Sequence, residues 1–447
     1  EYKKAYWNEK TDEYLFERHK KEIFPLLKMR SVFSGIENFR MYDFVTDQGT
    51  DENVFAITNK DKKNIGFYIY NNAYRETQGY VRNSVLFKDK SGGNETSDDI
   101  FSVFGLKNAP DCYLIYRDRT RELDYIVSAK DIYEKGLWFN LKAYEYLLFT
   151  DFRAVKDDEW GHYGKLWSSL NGEGVSDIKE AYENVALGPL HSRLKKILDK
   201  NNFDMLWELY KSKEKDDVKI YYFFQKVADS LKTAKDYAGG YENKKDITDK
   251  IYKDFIFILK TDWSRHINKN VISEKGAVYY LCIWMLLRHF GEMKYGIDDP
   301  VLSASLINEW KLKDYILNIL PKDEFVCTAE GVLECLVQVI RTQNWTDPLF
   351  SGDKTVAETL RDYLLLDSTL KVIKANRFNN TMWFNKECIM SLTELMRISF
   401  FVHTETVRDS KKRVYVRKVA ERLAGSMTRM CEKSEYKFDN LLRMLSE

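Results

Sequence analysis

The stretch Glu22-Ile23-Phe24-Pro25-Leu26-Leu27-Lys28-Met29-Arg30-Ser31-Val32-Phe33-Ser34-Gly35-Ile36-Glu37-Asn38-Phe39-Arg40-Met41-Tyr42-Asp43-Phe44 holds the change of pattern from which this chain is read. Up to Ser34 the pattern is helical: Tyr14, Leu15, Arg18, Glu22, Ile23, Leu26 and Leu27 recur at three and four, the spacing of one helix face. Thr11 or Asp12 can cap that helix. Pro25 predicts a kink or a second start, and Gly35 ends it. From Phe39 the period becomes two. A helical connector that feeds a β domain looks like the exit from a larger domain. The first residue is Glu1, not Met, so the chain reads as a piece of a longer protein.

Downstream, short apolar runs alternate with turn residues as far as Val155. Phe39 to Val45, Val54 to Thr58, Ile65 to Asn71 and Tyr80 to Phe87 each read as a strand. Asp47-Gln48-Gly49 and Lys60 to Asn64 read as turns, and Lys88 to Asp99, with Gly92-Gly93, as a loop. Cys112 to Arg117 and Leu123 to Val127 predict a hairpin across Asp118-Arg119-Thr120-Arg121. Lys130 to Lys135 predicts a helical turn, and Leu137 to Leu141 and Tyr144 to Arg153 the last strands. Strands of this number and spacing predict an antiparallel β-sandwich. After Asp157 the period is helical to the end, with helices expected near 174–187, 190–212, 217–238, 246–263, 274–292, 300–319, 328–343, 354–375, 385–402 and 406–432. Ala238 to Lys245 is the expected hinge. The domains expected are 1–36, the helical end of an upstream domain; 37–156, the β-sandwich; and 157–447, all helical.

Composition narrows the function classes. At 447 residues the chain can hold about two to four domains, each with a core of its own. Lys plus Arg number 70 and Asp plus Glu 69, so the electrostatic footprint of a general nucleic-acid binder is missing. No apolar run reaches the ~18 residues of a membrane span; the nearest, Ala277 to Leu287, ends at Arg288 and His289. The six cysteines form no C-x-x-C, the pattern of reduced thiols in a cytoplasmic protein. No nucleic-acid or membrane partner and no cofactor is expected.

The chemistry-bearing candidates are few. Cys282 and His289 lie seven apart on one expected helix, which suits packing better than a metal, and no metal site is assigned. Asp98-Asp99, Asp157-Asp158-Glu159 and Asp298-Asp299 read as solvated surface. A glycine-rich phosphate loop and a nucleophile elbow are both missing. No catalytic residue is assigned. Tyr74, Tyr80, Trp138 and Tyr144 are the sugar-stacking candidates, with Trp160 and Trp167 nearby. Packing between the sandwich and its neighbours is the competing explanation for these rings.

Four phrases in order, EIFPLLKMRSVFSGIENFRMYDF (22–44), DENVFAITN (51–59), IGFYIYNNAYRETQGYVRNS (65–84) and GLWFNLKAYEYLLFTDFRAV (136–155), carry a resemblance. The region from about residue 10 to 156 resembles the part that follows the catalytic barrel in large bacterial proteins of the alpha-amylase family of glycoside hydrolases. MWFNKECIMSL (382–392) suggests the helical extension of such proteins. The resemblance implies a (β/α)8 barrel upstream as the partner, with residues 1–34 holding its last helix. It also implies an α-glucan or related sugar as ligand, and a supporting, non-catalytic role for this chain. The family's catalytic carboxylates would lie before residue 1. The alternative is a non-enzymatic module that binds a glycan or a protein.

Overall fold

The computed structural model describes residues 10–88, 93–240, 245–404 and 410–445. The centre of the expected loop at 89–92, the hinge residues 241–244 and the first residues of the last expected helix, 406–409, lie outside the described residues. The chain divides into two compact units, Glu1–Leu187 and Gly188–Glu447.

The first unit starts with α1 (Glu13–Glu22), α2 (Phe24–Lys28) and α3 (Arg30–Phe33). Asp12 caps α1 by accepting from the Leu15 N–H at 3.1 Å. The helical pattern breaks just before Pro25, where α2 begins. The strands are β1 (Arg40–Thr46), β2 (Gly49–Thr50), β3 (Val54–Lys60), β4 (Ile65–Asn71), β5 (Thr77–Ser84), β6 (Phe87–Lys88), β7 (Glu95–Thr96), β8 (Cys112–Asp118), β9 (Leu123–Ser128), β10 (Leu137–Leu141) and β11 (Tyr146–Lys156). Helix α4 (Ile100–Val103) precedes β8, and α5 (Ala129–Lys135) joins β9 to β10.

The expected sandwich is instead a single antiparallel sheet that curls into a half-barrel, in the order β10-β5-β1-β3-β4-β11-β8-β9, with β2 beside β1. Register explains the curl. The long strand β11 pairs with β4 over Tyr146–Phe149 and with β8 over Phe149–Lys156, with an irregularity between Thr150 and Arg153. Asp151 within that irregularity has φ +57°. A second register shift separates Tyr42 from Phe44 where β1 meets β5. Irregularities of this kind bend a strand and sharpen its twist, so one sheet wraps its own core. Alternation does the rest. In β10, Leu137, Phe139 and Leu141 point inward and Trp138 and Asn140 outward. The enclosed rings of Phe67, Phe139 and Phe149 lie 5.4–5.8 Å apart. At about 1.5–3 kcal/mol for each fully buried ring, this cluster is a main source of the unit's stability. Gly79 has no side chain because a Cβ there would come within 2.5 Å of the Val45 carbonyl oxygen. Ile100, Phe101, Phe104 and Ile132 of the α4 and α5 region complete the core.

The outer face of β8 and β9 is covered too. Tyr113, Ile115 and Ile126 pack with Leu166 of α6 (His162–Leu170) and Ile178 of α7 (Ile178–Leu194). The expected break before residue 190 does not occur: α7 runs through Gly188-Pro189. The break falls instead before Asp199, whose side chain caps the next helix by accepting from the Asn201 N–H at 2.9 Å.

The second unit is helical. In order its helices are α8 (Lys200–Lys211), α9 (Asp217–Tyr237), α10 (Lys245–Lys260), α11 (Glu274–Leu287), α12 (Glu292–Tyr295), α13 (Pro300–Glu309) and α14 (Lys313–Ile319). There follow α15 (Ala329–Arg341), α16 (Asp347–Ser351), α17 (Val356–Leu364), α18 (Asp367–Val372), α19 (Lys386–His403), α20 (Ser410–Lys433) and α21 (Phe438–Met444). The apolar run Ala277–Leu287 is buried on every side as α11. α19 packs against it, with the Tyr280 and Ser399 hydroxyls 3.1 Å apart. Among the described residues no helix is long and apolar enough to cross a membrane. A small hairpin, β12 (Asn376–Phe378) and β13 (Thr381–Trp383), interrupts the helices. Its turn residues Asn379 and Asn380 both have positive φ, a conformation asparagine tolerates better than most residues.

Candidate functional site

The curl does not close. Between its two edge strands, β9 and β10, lies a cleft of about 740 Å³, within the size range of small-molecule sites. Tyr116, Phe139, Leu147 and Phe149 give it an apolar lining, and Arg121, Asn140, Lys142 and Glu145 contribute polar groups.

The polar side is held by a chain of contacts. The Arg121 guanidinium donates to Glu145 Oε1 at 2.8 Å. The Lys142 N–H donates to Glu145 Oε2 at 2.8 Å. Arg121 Nε also lies 3.8 Å from Asp118 Oδ2. Asp118 is fully buried; its Oδ1 accepts from the backbone N–H groups of Thr120 and Arg121 at 2.8 and 3.1 Å. Burial pushes its carboxyl above the usual carboxylate range. Arg121 thus sits between Asp118 and Glu145 and neutralises both. That arrangement suits recognition of a polar ligand. It does not form the pair of carboxyls facing one sugar that glycoside hydrolysis uses.

The four aromatic candidates fall into two pairs. Trp138 of β10 lies directly opposite Tyr80 of β5, which lies opposite Val45 of β1. This row is on the outer face, and Trp138 is 53% exposed. The next row is Gln78 opposite Asn140, whose amide donates to Glu76 Oε1 at 2.9 Å. Tyr80, Trp138 and Asn140 also reach the cleft. Tyr74 and Tyr144 form the second pair, at the loops before β5 and β11, with ring centroids 6.1 Å apart. Trp160 is exposed beside His162. Trp167 is half-buried against Tyr113, 6.2 Å between ring centroids, so packing accounts for it.

The acidic pairs do more than face solvent. Asp157 accepts from the Tyr163 and Gly164 N–H groups at 2.8 and 2.9 Å and so caps α6. Asp158 Oδ2 meets His162 Nδ1 at 2.6 Å and the Tyr182 hydroxyl at 2.7 Å. Asp98 pairs with Arg40 at 2.5 Å. Asp299 caps α13 through the Leu302 N–H at 2.9 Å. Cys282 is a buried thiol pushed up to about 12 by burial. His289 is engaged elsewhere, 2.6 Å from Glu292 and 3.6 Å from Asp254. Among the described residues no group of three or more His, Cys, Asp or Glu could hold a metal ion.

Two features escape a reading of the sequence. Arg121 looks like an ordinary turn residue until the curl brings Glu145 beside it. In the second unit, Asp254 and Lys250 of α10 meet Arg288 and Glu292 at 2.9 and 2.8 Å respectively. Arg288 Nη1 also donates to His403 Nδ1 of α19 at 2.9 Å. These residues come from segments up to 153 positions apart in sequence (403 − 250), so no local spacing signals the network. Comparison with family models, curated proteins and solved structures finds no match to this chain.

Proposed function

We propose that this chain is the non-catalytic portion of an alpha-amylase family enzyme, and that its β unit binds the α-glucan substrate. The observation that carries the binding role is the Trp138–Tyr80 pair, in direct register at the lip of a cleft that also holds Arg121, Asn140 and Glu145. Sugar rings present apolar C–H faces ringed by hydroxyls. An aromatic platform beside amide, carboxylate and guanidinium groups matches both features. The four ordered phrases between residues 22 and 155 support α-glucan as the saccharide.

The test is titration of the protein with maltoheptaose, followed by tryptophan fluorescence and calorimetry. Trp138→Ala removes one covered ring, worth about 1.5–3 kcal/mol, and binding is expected to weaken about 10- to 100-fold. Binding that is unchanged in Trp138→Ala would refute the site. Support of an adjoining domain is the second role, favoured by the apolar residues that α1 and α2 leave exposed: Tyr14, Leu15, Phe16, Phe24 and Leu27.

A further inference from the structure

The helical unit has a cavity of its own, of about 580 Å³, within the size range of small-molecule sites. Helix α8 contributes Lys200 and Asp204 to its lining, and α11 contributes Lys275 and Tyr279. The segment between α14 and α15 supplies the facing wall, with Lys322, Phe325 and Cys327. That segment is fixed from behind. The Ser273 N–H donates to the Glu324 carbonyl at 3.0 Å and the Val326 N–H to the Val271 carbonyl at 2.8 Å, and Phe325 bridges Ile272. Gly276 permits this approach, because a Cβ there would lie 2.8 Å from the Glu324 carbonyl oxygen. The wall is therefore in place before any ligand arrives, which lowers the ordering cost of binding.

The positive charges of this cavity are left over. Lys275 is half-buried, and its ammonium lies 5.6 Å from the centre of the Tyr279 ring. The acids beside it are committed elsewhere. Asp204 accepts from the Tyr279 hydroxyl, and Glu274 accepts from Tyr210 at 2.8 Å and Lys211 at 3.1 Å. Lys200, Lys275 and Lys322 make no ion pair among the described residues. That leaves three cations against Asp323 and Glu324, the remaining acids of the lining. The clefts of the β unit differ, since Arg121 there meets Glu145 and Arg75 meets Asp51. A cation drawn partly out of water without a partner is unfavourable, and an anion entering the cavity offsets this. Leu320 and Phe325 add an apolar side to the lining. We propose that this cavity binds a small phosphate ester with an apolar body. A phosphate brings close to two negative charges and three acceptor oxygens, which suits several lysines at once. This role is independent of the saccharide reading.

The test is calorimetric titration of the full chain with phenyl phosphate, with phenol as the neutral control. The parent is expected to bind phenyl phosphate saturably, and phenol roughly 10-fold or more weakly. In Lys275→Gln/Lys322→Gln the affinity for phenyl phosphate is expected to fall about 10-fold, the loss of charge-assisted contacts. Both side chains reach solvent, so the thermal midpoint is expected to stay that of the parent. A second readout needs no variant. Cys327 lines the cavity and is half-buried, as is Cys112 in the β unit. Phenyl phosphate is expected to slow alkylation of Cys327 by N-ethylmaleimide, followed by peptide mass mapping, and to leave Cys112 unchanged. The site is overturned by a parent that shows no saturable binding, by equal affinity for phenol, or by equal affinity in the folded double variant. Alkylation of Cys327 that phenyl phosphate does not slow overturns it as well.

Discussion

Acid should unlock the helical unit at His403. The imidazole is held at about 4, against 6.5 for an ordinary histidine, by burial first and then by the Arg288 guanidinium; Asp254 and His289 also act on it. The geometry requires a neutral ring, because Nδ1 accepts the Arg288 hydrogen bond. In the unfolded chain the ring takes a proton below pH 6.5; in the folded chain it does so only near pH 4. The unfolded state therefore binds more protons within this window, and stability falls as pH falls through it. The interval of 2.5 pH units (6.5 − 4) corresponds to roughly 3.4 kcal/mol in all, and to about 2.5 kcal/mol by pH 4.5, at ~1.36 kcal/mol per unit. These figures are ceilings, since part of the His403 surface is exposed. Glu292, held at about 2 against burial by His289 and Lys250, adds its own loss only below pH 4.5. The assay is urea unfolding at pH 7 and pH 4.5, followed by tryptophan fluorescence; Trp284 reports locally, its ring 4.4 Å from the Arg288 guanidinium carbon. His403→Gln keeps an acceptor for Arg288 but cannot titrate, so its loss over this interval should be smaller by up to about 2.5 kcal/mol. Equal losses in variant and parent would refute the argument.

Asn71→Ala should destabilise the β unit by about 1–3 kcal/mol, because it removes the buried amide that ties the Arg75 and Lys142 carbonyls together. The check is urea unfolding at neutral pH, and a change below about 0.5 kcal/mol would show that the loops hold themselves. Leu27→Ser addresses the exposed face of α2, where Leu27 is 63% exposed. Stability should stay within about 0.5 kcal/mol while binding of an environment-sensitive apolar dye decreases. A clear loss of stability would show instead that Leu27 packs within this chain.

The strands were largely legible because alternation is a local signal. Leu137, Trp138, Phe139, Asn140 and Leu141 spell it out residue by residue. How the strands assemble is not local. A sandwich and a half-barrel use the same alternating strands, and the difference lies in the irregularities near Asp43 and Asp151, which no composition marks. The helix boundaries at Pro189 illustrate a second limit. Proline disfavours a helix interior, yet α7 continues through it, and the cap at Asp199 sets the break instead. The aromatic candidates could be named from sequence, but their pairing could not. Tyr80 and Trp138 are 58 positions apart (138 − 80) and meet only through strand register, as Tyr74 and Tyr144 meet only through Asn71.

The existence of the cleft follows from the connection between its walls. Adjacent strands in a sheet lie about 4.8 Å apart, and β9 and β10 would have to reach that spacing to close the barrel. The chain between them is α5, and Ala129 and Ile132 on that helix are fully buried in the same core as Phe67 and Phe149. A helix is about 10 Å across, so packing α5 into the curl holds the two edges apart by more than hydrogen bonding can bridge. Exposed strand edges invite pairing with other chains. Here Asp124 of β9 is instead paired with Val175, and α5 shields the neighbouring turn. What remains open is the side marked by Arg121 and Glu145, where polar side chains replace the apolar filling. The wedge that prevents closure therefore makes the pocket, and the register that places Trp138 beside Tyr80 puts an aromatic surface at its mouth.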